Sequence, residues 1–548
     1  MIVKRSLQWA IPIFVIGVLF YWPMSRVLGQ GLNGNWLATL AEPRVANAIW
    51  FTIWQSLVST ALCLLLALPA AYVLYRKRTP GAHFFKALLT IPFALPTMVT
   101  AIGFTAYQNQ GIWHAAWAAN SWLNSPIAWI IMAHIFVNFA VITRTVGSTW
   151  MSHSHDTEEA AALAGAGRLR IFWSISLPQL RPAIISSIFT VFLYCSASYG
   201  LVLVLGGGRV NSIETEIAAA ANQFLDLQEA GALAIFQTIL TIGAFAIGTS
   251  GNRSKIGFDV QETGKPKHSL DLRDWPVAVF TLVSIILTLV PLILILQRAF
   301  VDATGNLTFD NFIALTSHGT RNLLDISIGQ AAFNSLRNVL VATLVAGVVG
   351  TLAAYLLTRP TRGKAQRDVS RILDTAFMLP LGVSSIVLGF GYLLTFGDGW
   401  LPLRSSWLVV PLIQSLLAMP LVIRIVQPAL HGIGAELGEQ ASTDGANAFV
   451  TFFRIELPLA KQSVAAAFGY AAIVSVGEFG AANLLSYGDQ ATLPTVLYQL
   501  ISRPGGQNYG MAMAMAAIVI SLTFAVVFVS STPNRDRNQH RQRLSADE

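Results

Sequence analysis

Apolar runs long enough to cross a bilayer recur along almost the whole chain, and nothing else in the sequence limits the fold so strongly. A membrane-spanning helix needs about 20 mostly apolar residues, and only helices or closed barrels satisfy every backbone group inside lipid. The runs are rich in Leu and Ala and lack the strict alternation of barrel strands. Charged residues make up 11% of the chain, against about 25% in soluble proteins. The sequence therefore predicts an all-α polytopic membrane protein.

Twelve spans are predicted, six in each half of the chain. No small-residue cleavage site follows the first apolar run, so we expect it to remain as a span rather than to be removed as a signal peptide. The approximate bounds are 7–28, 48–75, 87–107, 128–146, 183–204, 229–249, 276–297, 336–358, 375–396, 407–429, 463–485 and 509–531.

Lys and Arg residues determine the predicted orientation, because basic loops face the cytoplasm. The loop at 108–127 contains neither residue type. The net charge of +8 is explained by the inner loops, so we expect no nucleic acid partner, and both termini are predicted to be cytoplasmic. The basic positions are Arg76, Lys77, Arg78 and Lys86 after span two, Arg359, Arg362, Lys364, Arg367 and Arg371 after span eight, and Arg535, Arg537, Arg541 and Arg543 in the tail.

A polar segment after span four returns after span ten. Residues 159–178 read EAAALAGAGRLRIFWSISLP, and residues 439–458 read EQASTDGANAFVTFFRIELP. Each pair of shared positions is separated by 280 residues (439 − 159, for example). Both copies fall on the predicted inner face, which indicates a duplicated contact with something in the cytoplasm. The shared positions are Glu159, Ala161, Gly165, Ile175, Leu177 and Pro178, and Glu439, Ala441, Gly445, Ile455, Leu457 and Pro458.

This pattern resembles the EAA loop of the membrane subunits of ABC importers, although the second copy has Gln440 in place of the usual alanine. The resemblance covers nearly the whole chain and implies the type I importer permease fold, with two halves fused in one bacterial inner-membrane protein. It implies that each EAA loop docks in a cleft of a cytoplasmic ABC ATPase, present in two copies, and that an extracytoplasmic solute-binding protein delivers the substrate. The residues that carry this coupling role are Glu159, Ala160, Ala161, Gly165, Leu177 and Pro178, and Glu439, Ala441, Gly445, Leu457 and Pro458.

The chain contains no Gly-x-x-x-x-Gly-Lys-Ser/Thr nucleotide-binding pattern. We therefore expect ATP and magnesium to be used by the separate ATPase, and we expect this chain to bind no cofactor. His153 and His155 adjoin the first loop, and Cys63 and Cys195 lie in predicted spans, but none has the further ligands of a metal centre. No catalytic residue and no metal site are predicted, and the spans are expected to contact lipid.

Each EAA loop should contain a short helix. In the first copy we expect this helix over residues 155–165, with Asp156 as its cap and Gly165 allowing a sharp change of direction. Pro178 is expected to mark the turn into span five.

Two arginines at the inner ends of spans four and ten also recur 280 residues apart (424 − 144). Arg144 and Arg424 either extend to lipid phosphates or make an interhelical or loop-anchoring contact, with Glu159 and Glu439 as the expected loop partners.

The predicted organisation is a first half at 1–250 with its EAA loop at 156–178, a cytoplasmic linker at 251–275, a second half at 276–532 with its EAA loop at 436–458, and a basic tail at 533–548. Six spans per half is an even number, so the halves should be parallel repeats about an axis along the membrane normal. Such repeats place a substrate pathway at their interface. Further repeated pairs are Arg76 with Arg359, Gly103 with Gly391, Gly111 with Gly399, and Tyr199 with Phe479.

Glu478 in span eleven is the clearest acid inside the membrane, where acids are rare and costly. It either faces the pathway, where it would suit a cationic substrate, or makes a structural hydrogen bond. Ser198 is its counterpart in the first half, and Tyr199 follows, so these three residues form the predicted pathway site. Glu214 and Glu216 lie beyond span five on the outer side, where we expect the binding protein to dock.

Two segments narrow the choice of substrate. Residues 205–208 (LGGG), with the Ser-Ile-Glu that starts at Ser212, resemble the corresponding segment of thiamine and ferric-iron permeases. Residues 107–113 resemble a Tyr-Gly-x-x-Gly-Trp segment of the thiamine group but depart from it. A thiazolium cation would suit Glu478 and aromatic partners, whereas ferric iron prefers carboxylate and phenolate oxygens, which are few in the spans. We therefore predict thiamine, with ferric iron and then polyamines as alternatives.

Two other classes of protein were weighed. An ion-coupled secondary transporter would explain the number of spans but not the two spaced loops. A membrane-embedded enzyme is disfavoured because the sequence lacks paired carboxylates, His-Glu-x-x-His and Gly-x-Ser-x-Gly at a plausible depth.

Overall fold

The computed structural model describes residues 2–33, 36–109, 125–153, 155–250, 268–302, 305–359, 364–397, 406–433, 435–486, 488–503 and 505–531. The predicted tail, most of the predicted linker, and the repeated pair Gly111 and Gly399 lie outside these residues, and so does the side chain of Glu439.

The described residues contain ten helices that are long and apolar enough to cross a membrane, and twelve such units when each of two bent helix pairs is counted as one span, in agreement with the predicted number. Ten are single helices, and two are pairs of helices with a sharp bend between them. The single helices are spans one (Trp9–Leu32), two (Pro43–Arg76), four (Pro126–Ser152), five (Arg168–Ser196), six (Leu227–Gly248), seven (Leu272–Ala299), eight (Ile328–Thr358), ten (Val409–His431), eleven (Phe449–Gly477) and twelve (Gly506–Ala525). The bent pairs are spans three (Ala82–Ala94 with Thr97–Tyr107) and nine (Arg367–Gly382 with Ser385–Phe396).

Short elements connect the spans. Several long helices also include a π-helical turn, such as Phe172–Ser176 in span five and Phe452–Glu456 in span eleven. Two strands of two residues each, β1 (Lys77–Arg78) and β2 (His268–Ser269), pair in parallel. The short helices are Trp36–Ala41, Asp156–Leu163, Tyr199–Gly206, Ile213–Ala219, Asp310–Ile313, Ala435–Thr443, Gly480–Leu485 and Leu493–Ser502.

Spans three and nine are bent by about 100° rather than straight. In span three, Leu95 is extended because the ring of Pro96 disfavours the helical region for the residue before it. In span nine, the first helix ends in the turn Leu379–Gly382, and Ser384 then caps the second helix by accepting a hydrogen bond from the N–H of Val387 (3.2 Å). The apolar runs predicted these two spans, but they did not predict the angle between the two helices of each.

Spans five and eleven begin earlier and end earlier than the predicted ranges 183–204 and 463–485. Each helix is continuous from the end of its EAA loop, so Pro178 lies within span five and does not mark a turn. Each helix then breaks, because Ser198 (ψ 80°) and Glu478 (ψ 122°) leave the helical region. A short helix follows each break, Tyr199–Gly206 in the first half and Gly480–Leu485 in the second.

The first span of each half packs against the other half. Span one lies against spans eight and nine, and span seven lies against spans two and three. A methyl group added at Gly391 would lie 3.2 Å from Pro23, and one added at Gly103 would lie 3.2 Å from Pro291. The contacts are equivalent, because Gly103 and Gly391 are repeat partners and each meets a proline in the first span of the other half. This exchange of first spans interlocks the two halves.

Substituting Gly391 tests the exchange. We expect Gly391→Leu to lower the midpoint of thermal unfolding of the purified protein in detergent, because overpacking costs about 1–3 kcal/mol. Gly391→Ala should have a smaller effect of the same sign. Gly469→Leu is the matched control, since nothing lies within 4 Å of a methyl group at that exposed position in span eleven. Equal midpoints for the Gly391 and Gly469 variants would contradict the close contact.

Candidate coupling loops and central site

The EAA loops each begin with a short helix, which we call the EAA helices: Asp156–Leu163 and Ala435–Thr443. The first predicted helix is confirmed, but its predicted cap is wrong. His155 occupies the cap position and makes no side-chain cap bond, while Asp156 is the first helical residue. Asp156, Glu158 and Glu159 in the first turn lie at the positive end of the helix, where carboxylates are stabilised.

Both EAA helices end in the same left-handed turn. Gly165 has φ 86° and Gly445 has φ 85°, a backbone conformation that costs glycine little and other residues more. The N–H of Ala166 donates to the carbonyl of Ala161 (3.0 Å), and the N–H at position 446 donates to the carbonyl of Ala441 (2.9 Å). Each turn is therefore a glycine C-cap that reverses the chain toward the following span.

An ion pair holds the first EAA helix against the membrane region. Arg76, at the inner end of span two, donates to the carboxylate of Glu158 (2.6 Å) and to the carbonyls of Trp150 and His153 (3.1 and 3.0 Å). The hydroxyl of Ser176 in span five donates to the other oxygen of Glu158 (2.7 Å). The first EAA helix is thus linked to spans two and five.

The Glu158 carboxylate is stabilised in its charged form. Burial raises its pKa, but hydrogen bonds from Ser176 and Arg76 and the charge of Arg76 more than offset this, so the pKa lies below its ordinary value. The contribution of this ion pair to stability is therefore complete at neutral pH and is lost as the pH falls through the lowered pKa.

The second half makes the equivalent link with a different residue. Arg359 donates to both oxygens of Glu456 (2.8 and 2.7 Å). Glu456 is the counterpart of Ser176 (456 − 176 is 280), and Gly438 is the counterpart of Glu158. The carboxylate has moved from the EAA helix to the start of the long helix.

The sequence missed this role of the two arginines. It identified Arg76 and Arg359 as a repeated pair, yet it named Arg144 and Arg424 as possible loop contacts. In the structure Arg144 is half-buried in span four, and the Arg424 side chain lies 3.3 Å from the sulfur of Met378. The predicted partnership of these two with Glu159 and Glu439 stays a prediction.

The EAA loops expose apolar side chains at matching positions. Glu159, Ala160 and Gly165 are exposed, whereas Ala441 is buried. Leu177 and Leu457 are half-buried at the start of the long helices, with Pro178 half-buried and Pro458 exposed. Exposed apolar residues on a polar face mark an interaction surface. The apolar pairs are Leu169 with Phe449 and Trp173 with Phe453, exposed by 77%, 69%, 64% and 48% respectively, and Leu163 in the first EAA helix is 91% exposed.

A second group of ion pairs, centred on Asp274 and called the clasp below, is present at the first EAA loop. Asp274, at the start of span seven, accepts from Lys77 (2.9 Å) and from Arg168 (3.1 Å), which follows the first EAA helix. Pro360 and Ala448 stand at the corresponding sequence positions in the second half, so neither can form this ion pair. The clasp ties the first EAA loop to a span of the other half.

The two helix breaks meet between the halves. The rings of Tyr199 and Phe479, which are repeat partners, stack with their centroids 5.6 Å apart and an angle of 20° between their planes. Asn483 donates to the hydroxyl of Tyr199 (2.7 Å). The Glu478 carboxylate accepts from the N–H groups of Ala481 (2.7 Å) and Ala482 (3.3 Å), which is the structural hydrogen bond that the sequence left open. The structure thus brings the predicted residues Glu478 and Tyr199 together.

Ser198 is the third predicted pathway residue. It lies at the break before Tyr199, where its side chain is buried and its hydroxyl has no hydrogen-bond partner within the described residues.

Glu214 and Glu216 do not form an outer docking surface, which corrects the sequence prediction. Both are 1% exposed, in the capped helix Ile213–Ala219. Arg44 donates to Glu216 (2.6 Å) and also binds Glu229, so an exposed arginine pairs with two buried carboxylates in an ion-pair cluster. The sequence around Glu214 and Glu216 is compatible with an exposed or a buried position, and only packing against neighbouring spans decided between the two.

Comparison with known proteins agrees with this architecture. The family model described as "Binding-protein-dependent transport system inner membrane component" matches residues 64–304 and again residues 342–532.

Similar proteins of known name match along almost their whole length. The thiamine transport system permease protein ThiP of Escherichia coli is 25% identical over 507 residues, covering 90% of each chain. The protein of the same name from Brucella abortus is 29% identical over 505 residues, covering 89% of this chain and 88% of that one. The Salmonella typhimurium protein is 25% identical over 545 residues, covering 96% and 97%. The chain belongs to the family of binding-protein-dependent transport system inner-membrane components, the permeases of ABC transporters, with two copies of the family domain fused in one polypeptide.

Proposed function

We propose that this chain is the membrane permease of an ABC importer that carries thiamine across the bacterial inner membrane. The substrate assignment rests on the similarity to thiamine permeases from several bacteria, which extends over about nine-tenths of the chain. The doubled EAA loops, with their exposed apolar side chains, support an import mechanism driven by a partner.

We infer that two ATPase subunits bind, one at each EAA loop, and that they hold the ATP and magnesium. The matched exposed pairs at the loops support one docking surface per half. A solute-binding protein would deliver the substrate at the opposite face. The Lys and Arg distribution supports cytoplasmic positions for both termini.

The contacts of the loops suggest how ATPase motion reaches the pathway. Movement of an EAA helix would pull on two spans at once, through Arg76 in the first half and Arg359 in the second. Because the first spans are exchanged, the halves would move as two interlocked bodies rather than as separate helices. Separation of the halves would part Tyr199 from Phe479 and open the pathway between them.

Transport of thiamine is the direct test of the substrate. The permease, its ATPase and its binding protein are placed in liposomes, and uptake of labelled thiamine is followed with ATP present. We expect uptake that requires both partners and ATP, because the chain has no nucleotide-binding motif of its own. Binding of ferric iron but not of thiamine by the partner binding protein would contradict the thiamine assignment.

The turns that end the EAA helices give a test of docking. Gly165→Val with Gly445→Val should abolish ATP-dependent uptake while membrane insertion persists, because a β-branched residue is strained at φ near 86°. Gly165→Asn with Gly445→Asn is the matched control, since asparagine tolerates the left-handed region and should keep much of the activity. Co-purification of the ATPase and the initial uptake rate are measured. Normal assembly and uptake by the valine variant would exclude the docking role.

The ion pair at the first loop can be moved by copying the second half. We expect Glu158→Ala to lower uptake and ATPase co-purification, because it removes hydrogen bonds to a charged group, each contributing about 1.5–3 kcal/mol. Adding Ser176→Glu should restore both, since the second half places its carboxylate at that position. A double variant as defective as the single one would show that Arg76 does not act as the anchor.

A further inference from the structure

Two buried carboxyl groups, one from each half, lie on or just before helices that pack against the same neighbour. Glu214 lies in the helix Ile213–Ala219, and Glu478 comes two residues before the helix Gly480–Leu485. Both helices pack against the second helix of span nine, Ser385–Phe396. Glu214 is 1% exposed and Glu478 is 8% exposed, so both carboxyls lie inside the contact between the halves.

Neither carboxyl is neutralised by a basic side chain. No ion pair within the described residues includes Glu214 or Glu478. One oxygen of Glu214, Oε1, also lacks any hydrogen-bond partner there. Glu216, two residues further along the same helix, is instead paired with Arg44 at 2.6 Å. A buried carboxyl without a cation is costly and calls for a role that compensates for it.

The internal repeat shows that the fold does not require either acid. Ser198 stands in place of Glu478 in the first half, and the short helix after that break forms without a side-chain cap bond. Pro494 stands in place of Glu214 in the second half, and the capping box at the start of that helix is still present. Both acids are therefore additions to a scaffold that forms without them.

Flat aromatic faces lie next to Glu478. Phe479 follows Glu478 directly, and its ring stacks on that of Tyr199 at the contact between the halves. Aromatic faces attract organic cations, and a carboxyl beside them adds charge complementarity. The nearby hydroxyl of Ser198 is buried and also has no partner among the described residues.

We propose that Glu214 and Glu478 form the permease's own recognition site for a planar organic cation, which is received when the halves separate and Tyr199 parts from Phe479. This inference rests on the proposed function, in which thiamine with its thiazolium ring is the cation. The site takes the cation from the binding protein and holds it between the halves until the inner side opens.

The test separates recognition from folding. The permease is placed in liposomes with its ATPase and binding protein, and both thiamine uptake and ATP hydrolysis stimulated by the loaded binding protein are measured. We expect Glu214→Gln and Glu478→Gln to lower the thiamine carried per ATP about tenfold, because loss of one buried charge weakens the contact with the cation. Stimulated ATP hydrolysis should persist. Glu478→Ser, which copies the first half, provides a second variant at that position, and Asp310→Asn in an exposed outer helix is the control.

Each outcome decides the matter. Unchanged thiamine per ATP in both the Glu214 and Glu478 variants overturns the recognition site while leaving the proposed function intact. Parallel loss of uptake and ATP hydrolysis assigns the two acids a structural role and also overturns it. No thiamine uptake by the wild-type protein, with its partners present, contradicts the proposed function itself and the inference with it.

Discussion

A helix that breaks in apolar surroundings leaves backbone groups that lipid cannot satisfy, and this constraint organises the centre of the molecule. At the end of span five, the side-chain amides of Gln55 and Gln237 donate to the carbonyls of Cys195 and Ser196, each at 3.1 Å. At the start of the helix after span eleven, the Glu478 carboxylate accepts from free backbone N–H groups. Polar partners of this kind are available only between packed spans, and the stacked rings of Tyr199 and Phe479 show that both breaks lie at the contact between the halves.

The halves share a scaffold but differ in the polar groups that they carry. In each half a hydroxyl near the start of the second span binds the first N–H of the capped outer helix: Thr52 with Ile213 (2.9 Å), and Ser335 with Leu493 (2.8 Å). Glu214 and the ion-pair cluster around Arg44 have no equivalent at the corresponding positions of the second half, and Glu478 has none in the first. The proposed function accounts for such differences, because a single substrate between two pseudo-symmetric halves would present a different face to each.

The EAA loops show how a repeat can diverge and keep the same anchoring contact. The carboxylate that binds the arginine lies on the EAA helix in the first half and at the start of the following span in the second. In both cases an arginine from the second span of that half is satisfied at the membrane surface. The ion pairs of Asp274 with Lys77 and Arg168 hold the first EAA loop, and the second loop has no basic residue at the corresponding positions. The two loops are therefore not held equally firmly. Unequal attachment would let the two loops transmit different movements to the same pathway.

The sequence by itself determined the membrane class, the number of spans, the parallel duplication and the family, because apolar length and repeat spacing are written directly in the order of residues. It also identified Gly165 and Gly445 as the turns that end the EAA helices, since a left-handed backbone favours glycine. Only the tertiary structure decided the breaks in spans five and eleven, the burial of Glu214 and Glu216, and the role of Arg76 and Arg359. Each of these depends on which side chains from distant spans lie close enough to satisfy a charge or a free backbone group. That proximity comes from the packing of the exchanged halves, which no local pattern records.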